Sequence, residues 1–324
     1  MARNLQALLP LVAEFGTSRI AFCTDDKDPD DIAENGHING MVREAVAAGI
    51  APEDALVLAS LNPALWHGLD HLGALAPGYQ ADVLLLPDLE SFTPQLVLKR
   101  GSQVEEIARS EVPEWVKHTV RIAPVAAERF RIDWRGEGSV RVIGLVPDQI
   151  VTESLVEAPT VRDGQAVADA ERDLAKIAVV ERHLGTGRIG LGFVRGFGLE
   201  RGALGSTVAH DAHNLVVVGM NDADMTRVVE RLAELGGGIV AVESGEVLAE
   251  LPLPVGGLLS DLPLVEVVER SRACTEAAER LGCGGATPFL TMSFLALSVI
   301  PSLKITDQGL VDVDRFELVP LEVE

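Results

Sequence analysis

The stretch HDAHNLVVVGMNDADMTRVVERLAEL, His210–Leu235, joins a buried strand to a helix and therefore predicts an α/β arrangement. The apolar run Leu215–Gly219 has the length and the branched side chains of a strand that is covered on both faces. Apolar residues then recur at helical spacing over Asp222–Leu235. A strand followed directly by a helix predicts a longer α/β or α+β region in the second half of the chain.

The surrounding sequence adds further elements to this region. The predicted strands are Val140–Leu145, Ala178–Val180, Ile189–Val194 and Ile239–Glu243, and the predicted helix is Leu264–Leu281. The segment AKIAVVERHL, Ala175–Leu184, has helix-like character, and the GTGRIG after it formally matches a dinucleotide-binding pattern. That motif needs a strand before it and a helix after it, and a strand-like segment follows here. The glycines are therefore interpreted as turn residues.

The first seventy residues predict a single helix, strand, loop and helix unit. A helix is predicted over residues 2–15, and RIAFCT, Arg19–Thr24, is typical of a buried strand. A polar loop, Asp25–Asn35, precedes a second helical face over Ile38–Ile50, and Pro52 lies in the first turn of a third helix. A complete (β/α)8 barrel takes about 250 residues, so this unit cannot close a barrel alone. From about residue 72 short strands, 81–86 and 95–99, predict a small β unit that ends near residue 120.

The charge and composition exclude several classes of protein. The 324 residues include 27 Lys plus Arg against 49 Asp plus Glu, a net charge of −22, which would repel a nucleic-acid backbone or an anionic membrane. No apolar run is long enough for a membrane span and the N-terminus lacks a signal-peptide core, so a cytoplasmic location is expected. Three scattered cysteines predict no disulfide framework.

The tetrapeptide CTDD, Cys23–Asp26, is the first candidate for chemistry. It ends the predicted strand with two carboxylates, and catalytic groups of barrel enzymes lie at the C-terminal ends of the strands. Asp25 or Asp26 in that position can bind a hard divalent cation or accept a proton from a water molecule. From these four residues alone, roles in the loop and in helix capping are the alternative.

Histidines mark two further candidate clusters. His37 lies in the loop that follows CTDD and can face the same end of the predicted strand, or it can be structural. HDAHN places two histidines, an aspartate and an asparagine directly before a strand, where they can bind a metal or hydrogen-bond a purine. Turn formation and capping remain the alternative. The candidate binding residues in this pentapeptide are His210, Asp211, His213 and Asn214.

NPA, Asn62–Ala64, followed by LGALAPGYQADVLLL, Leu72–Leu86, resembles the amidohydrolase superfamily. In that superfamily this stretch leads from the last barrel helix into a small β-sandwich, and CTDD then resembles the eighth barrel strand. The resemblance implies that Asp25 is a metal ligand and proton shuttle, with Asp26 as the less favoured substitute.

The rest of the sequence resembles the adenine deaminases within that superfamily. The resemblance is carried by Phe22–Ile38 and by three long downstream segments, Glu181–Gly219, Leu235–Asp261 and Pro288–Val313. It covers essentially the whole chain. It implies an α/β fold made of the C-terminal remnant of a (β/α)8 amidohydrolase barrel over residues 1–70, a small β-sandwich segment over 71–122 and an α/β C-terminal domain over 123–324.

The resemblance also implies an activity, a cofactor and a departure from the family. The activity is the hydrolysis of adenine to hypoxanthine and ammonia by water that a divalent metal, manganese or iron, activates. His37 and the HDAHN residues would contact the small-molecule purine. The HxH pair and the other metal ligands of the family have no match here, so the chain is expected to begin just before barrel strand 8 and to have little activity alone.

Two other interpretations stay open. One is a non-catalytic subunit or relic that pairs with a barrel-bearing partner, and the other is a different cyclic amidohydrolase, which the long C-terminal domain disfavours. Apolar surface where a barrel would continue predicts a homo-oligomer or association with a missing N-terminal half. Neither a nucleic acid nor a membrane is expected as a partner.

Overall fold

The computed structural model describes residues 4–104, 111–135, 137–147, 149–284 and 287–323. It is a mixed α/β structure with two compact units, an N-terminal unit over Arg3–Glu111 and a C-terminal unit from Val112 to the end of the chain. Among the described residues, no helix is both long enough and apolar enough to span a bilayer.

The N-terminal unit is mainly helical. Its elements are α1 (Leu5–Phe15), α2 (Pro29–Asn35), α3 (Ile38–Ala47), α4 (Pro52–Ala59), α5 (Leu61–Trp66), β1 (Val83–Leu85), β2 (Leu96–Lys99) and β3 (Ser102–Gln103). The three predicted helices are present as α1, α3 and α4, and the apolar faces of these helices share one core. The two predicted short strands are present as β1 and β2, which pair with each other, and β3 pairs with β2 to complete an antiparallel sheet. The sandwich arrangement stays a prediction.

The predicted strand Arg19–Thr24 is wrong. The segment is extended, but no strand of the described residues pairs with it, and a strand is stable only when its N–H and C=O groups find a neighbouring strand. Its Phe22 is buried and donates its N–H to the carbonyl of Leu58 at 2.8 Å, at the end of α4. The polar loop after it also holds an unpredicted helix, α2. Pro29 at its first position and acidic residues in its first turn favour that helix locally.

The C-terminal unit is built on one large sheet. The strands of the whole C-terminal unit are β4 (Ser139–Leu145), β5 (Thr152–Glu157), β6 (Thr160–Arg162), β7 (Gln165–Val167), β8 (Leu174–Val180), β9 (Ile189–Arg195), β10 (Ala203–Ser206), β11 (Leu215–Gly219), β12 (Gly238–Glu243), β13 (Glu246–Pro252), β14 (Leu303–Thr306), β15 (Gly309–Asp312), β16 (Glu317–Val319) and β17 (Glu322–Val323). Its helices are α6 (Asp222–Leu235), α7 (Leu264–Arg280) and α8 (Pro288–Leu295). The large sheet has the order β13-β12-β10-β11-β8-β9-β4-β17, with β5 also on β4. Its pairs are antiparallel except β4 with β9.

Helices cover both faces of this sheet, which is why its central strands are continuously apolar. In β11, Leu215 and Val217 face the core of α6, whereas Val216 and Val218 face the core of α7 and α8. Gly205 lets α6 approach β10, because a Cβ atom there would lie 2.2 Å from Val228. The bounds predicted for β11 and α6 match the observed ones.

The helix-like interpretation of Ala175–Leu184 is wrong, since most of it is strand β8. All seven residues of β8 are buried, and the strand pairs with β11 on one side and β9 on the other. A continuous apolar run carries no period that separates a buried strand from a buried helix. The Gly185–Gly190 stretch connects β8 to β9, so the helix that a dinucleotide motif requires does not follow it.

Candidate functional site

Antiparallel pairing brings the two polar segments of the C-terminal unit together. Val180, the last residue of β8, lies opposite Leu215, the first residue of β11. The chain after β8, Glu181–His183, therefore lies beside the chain before β11, His210–Asn214. HDAHN gains a neighbouring set of titratable groups that are about 30 positions away in sequence.

The HDAHN loop is held from several sides. His183 uses Nε2–H to donate to the carbonyl of Ala212 at 2.7 Å, and Arg182 donates from Nε to the carbonyl of His213. His210 donates its backbone N–H to the carbonyl of Ser293, in α8, at 3.2 Å. These bonds fix the loop backbone, and both histidines are partly buried as residues, with Nε2 of His210 itself buried.

The two histidine rings lie side by side next to an aromatic ring. The ring centroids of His210 and His213 are 5.9 Å apart, and the centroid of His210 is 4.9 Å from that of Phe294. Burial lowers the pKa of His213, as do the positive charges that His210 and Arg182 carry when protonated. A flat ligand suits such a partly aromatic surface.

Asn214 is more enclosed than the other residues of the loop. Its Oδ1 accepts from the N–H of Arg182 at 3.2 Å, and its Nδ2 donates to Asp307 at 3.2 Å. Asp307 also pairs with Arg188 at 2.8 Å. The amide of Asn214 is thus engaged within the protein on both sides, whereas the side chain of Asp211 is exposed. Contact of either residue with a substrate stays a prediction.

Sequence reasoning missed Glu181, which organises the turn beside HDAHN. Its carboxylate accepts from the N–H groups of His183, Leu184 and Thr186 at 2.6, 2.8 and 2.9 Å. Burial favours the neutral acid, but these donors outweigh it and lower the pKa of Glu181 to about 2. The signal in the sequence is a glutamate four residues before Gly185-Thr186-Gly187, at the start of a turn whose N–H groups need an acceptor.

The N-terminal unit brings the other candidates together. Nε2 of His37 lies 3.0 Å from Oγ1 of Thr24, so the ring contacts CTDD, and its role in binding stays a prediction. Asp25 is exposed, with a left-handed backbone (φ 53°), and its Oδ1 accepts from the N–H of Asp26 at 2.9 Å.

The described residues do not supply a complete site for a catalytic metal. They contain no group of three or more His, Cys, Asp or Glu side chains arranged to hold an ion. Catalytic zinc sites, for comparison, use about three protein ligands. Asp25 can contribute one carboxylate.

Asn62, in the NPA motif, holds the extended segment that leads to CTDD. Its side-chain amide donates to the carbonyls of Thr17 and Ile20 at 2.5 and 2.7 Å. A cleft of about 510 Å³ lies along the same segment, and the partly or fully exposed side chains of Leu65 and Trp66 line it. The motif therefore fixes backbone carbonyls at the edge of an open cleft.

Comparison with known proteins gives matches along the chain. The family model described as adenine deaminase C-terminal domain matches residues 149–317, and the amidohydrolase family model matches residues 1–121. The adenine deaminase of Oleidesulfovibrio alaskensis is 46% identical over 319 residues, 98% of this chain and 56% of that protein. The adenine deaminase of Cereibacter sphaeroides is 47% identical over 323 residues, 99% of this chain and 57% of that protein.

A third relative is the adenine deaminase of Methanothrix thermoacetophila, at 44% identity over 330 residues. That match covers 100% of this chain and 57% of the relative. The chain thus spans a little over half the length of the curated relatives it matches.

Proposed function

Because the chain belongs to the adenine deaminase family, we propose that it contributes to the hydrolysis of adenine to hypoxanthine and ammonia. The match over residues 149–317 carries this proposal, since it includes HDAHN and the residues that hold it. The different cyclic amidohydrolase is disfavoured by the same match. We further propose that residues 1–70 form the end of an amidohydrolase barrel, 71–122 a β-sandwich segment and 123–324 the C-terminal domain.

In this reaction Asp25 is the proposed proton acceptor. Asp25 is exposed and directly follows Thr24, whose Oγ1 lies 3.0 Å from Nε2 of His37. A carboxylate there can accept a proton from the attacking water and return one to the leaving group. Asp26 is the second candidate for this role. A divalent metal, manganese or iron, would use Asp25 together with ligands from outside the described residues.

His210 and His213 are the proposed purine contacts in the C-terminal unit. Purine rings are flat and present lone pairs and N–H groups at their edges, which imidazole nitrogens can match as donors or acceptors. The ring of Phe294, 4.9 Å from that of His210, supplies a neighbouring face for stacking. Asp211, Asn214 and His37 remain proposed substrate-binding residues by the same resemblance.

The test is ammonia release from adenine with added Mn²⁺ or Fe²⁺. We would compare the 324-residue chain with a fusion protein, in which the part of the Oleidesulfovibrio alaskensis adenine deaminase that precedes the matched region is joined to this chain. The fusion protein is expected to be active, and the 324-residue chain to have little activity. Comparable activity of both would contradict the expected shortage of metal ligands.

A non-catalytic subunit that pairs with a barrel-bearing partner is the second candidate. The observation that favours it is that the described residues hold no set of three or more metal-binding side chains. Mixing the 324-residue chain with the separate N-terminal part of the relative distinguishes the two. A stable complex that deaminates adenine supports a subunit, and activity in the fusion protein alone supports a single continuous enzyme.

A further inference from the structure

We propose that Arg182 is a positioning residue that keeps His213 a neutral imidazole, whose Nε2–H donates to an unprotonated ring nitrogen of a purine. The inference rests on the proposed function for the identity of the ligand. Its first half, the tautomer of His213 and the dependence of that tautomer on Arg182, concerns this chain alone.

The tautomer of His213 follows from two hydrogen bonds that join His213 to Ala209 within one turn. The N–H of Ala209 donates to Nδ1 of His213 at 3.2 Å, and the N–H of His213 donates to the carbonyl of Ala209 at 2.6 Å. A backbone N–H can only donate, so Nδ1 must carry a lone pair. A neutral ring then carries its hydrogen on Nε2, which makes that nitrogen a hydrogen-bond donor.

Arg182 holds the loop with a buried guanidinium group. Only 2% of Arg182 is exposed, and its side chain donates to the carbonyls of His213, Thr207 and Gly256, the last two at 3.4 and 3.2 Å. Gly257 makes room for it, because a Cβ atom there would lie 2.6 Å from Nη1. The charge of Arg182 is thus fixed against the backbone of His213.

The charges around His213 favour its neutral form. Burial disfavours the imidazolium, and so do His210, Arg182 and His183, while Asp211 alone opposes them. Asp211 is exposed and therefore screened by water. Protonation of Nδ1 would also remove the lone pair that accepts from Ala209. With these charges around it, a neutral His213 can donate to an acceptor atom of a neutral ligand, and the site disfavours a cationic ligand.

The test is nuclear magnetic resonance of the 324-residue chain labelled with ¹⁵N-histidine, with the His213 signals assigned by their loss in His213→Gln. We expect the Nε2–H tautomer, with a titration midpoint below the ordinary value of about 6.5. Arg182→Gln should raise that midpoint, because a like charge is removed, and an unchanged midpoint would overturn the role of Arg182. Arg182→Lys should keep the midpoint low while weakening the preference for one tautomer, because the planar fork is lost.

Arg227→Gln is the matched control. Arg227 lies on α6, so this substitution removes one positive charge at a position away from the loop. It should leave His213 unchanged. An Nδ1–H tautomer, or an imidazolium at pH 7, in the unsubstituted chain would overturn the inference even if the Arg182 variants fail to fold.

Titration with adenine and with deaza analogues, in which one ring nitrogen is replaced by C–H, separates this inference from the proposed function. Adenine should shift the His213 signals, and at least one analogue should bind about tenfold more weakly. The expected tautomer without any response to adenine leaves the role of Arg182 standing and overturns the purine as ligand. A response to adenine by a charged His213 overturns the inference and leaves the proposed function standing.

Discussion

Similar apolar runs adopt different structures in the two units. In the C-terminal unit, LVVVG and LAKIAVV become strands β11 and β8, and each is paired on both edges and covered on both faces. In the N-terminal unit, RIAFCT stays an extended segment that the side chain of Asn62 holds. The difference shows that an apolar run becomes a strand only where the fold supplies neighbouring backbone.

The candidate residues differ between the units in the same way. HDAHN is fixed by bonds from the segment after β8, from α8 and from the turn after β14, whereas Asp25 is exposed. The ligand contact proposed for HDAHN therefore depends on groups that the fold fixes, whereas the proton transfer proposed for Asp25 depends on an exposed carboxylate.

Removal of the Asp25 carboxylate should produce the largest effect. In the fusion protein, Asp25→Asn should lower kcat for adenine by about 10²- to 10⁴-fold, the usual contribution of a general base. The measurement is steady-state ammonia release. Asp54→Asn, at an exposed aspartate of α4, is the control and should leave kcat unchanged. A larger loss in Asp26→Asn than in Asp25→Asn would exchange the roles of the two aspartates.

A cavity in the C-terminal sheet should cost more stability than any change at its surface. Phe193→Ala, at a fully buried position of β9, should lower the free energy of unfolding by about 3–5 kcal/mol. Urea unfolding followed by the fluorescence of the buried Trp134 reports this unit, because Trp66 and Trp115 are more than 80% exposed. Phe316→Ala, at a 77% exposed position, should change the free energy of unfolding by less than about 0.5 kcal/mol. Equal effects would mean that the sheet is not the stable core.

The pH dependence of stability should report Glu181. Its pKa is about 2 in the folded chain against an ordinary value near 4.5, so its contribution is complete above pH 4.5 and is lost as the pH falls toward 2. The loss should amount to about 3 kcal/mol. Unfolding at a series of pH values should show a shallower slope for Glu181→Gln than for the unsubstituted chain. Glu317→Gln, at an exposed glutamate, should keep the original slope.

The hydrogen bonds from Asn62 to the extended segment should contribute less to stability than Glu181 does, and their loss should have a local effect. Asn62→Ala removes two donors from the carbonyls of Thr17 and Ile20, at a cost of about 1–3 kcal/mol. Hydrogen exchange at the Phe22 amide, which bonds to Leu58, should accelerate accordingly. Gln6→Ala, which loses one exposed bond of 3.4 Å, should not change that rate. An unchanged rate in Asn62→Ala would show that packing alone holds the segment.

The histidine pair should give the smallest of these effects. In the fusion protein, His210→Ala or His213→Ala should reduce turnover by tenfold or more, about 1.4 kcal/mol, because each removes one contact to the purine. His118→Ala is the control, since that ring is exposed and bonds only weakly to Glu114 at 3.9 Å. Unchanged kinetics in both variants would remove HDAHN from the substrate site.

The sequence by itself determined the elements whose signals are local. The helix α6 was predictable from its apolar spacing, from Asn221, whose side chain accepts from the N–H of Asp224, and from Gly236 at its end. The polar cluster HDAHN and the acidic pair Asp25 and Asp26 were equally visible as candidates. All of these depend on residues within a few positions of one another.

Only the tertiary structure decided what depends on distant neighbours. It extended the strand predicted at Ala178–Val180 back to Leu174, because β9 and β11 lie on either side of it, and it left Arg19–Thr24 without a partner strand among the described residues. It also placed Arg182 and Glu181 against HDAHN, a proximity that follows from antiparallel pairing and that no local pattern encodes. The protonation of His213 is set there, because burial and neighbouring charge are properties of the folded chain.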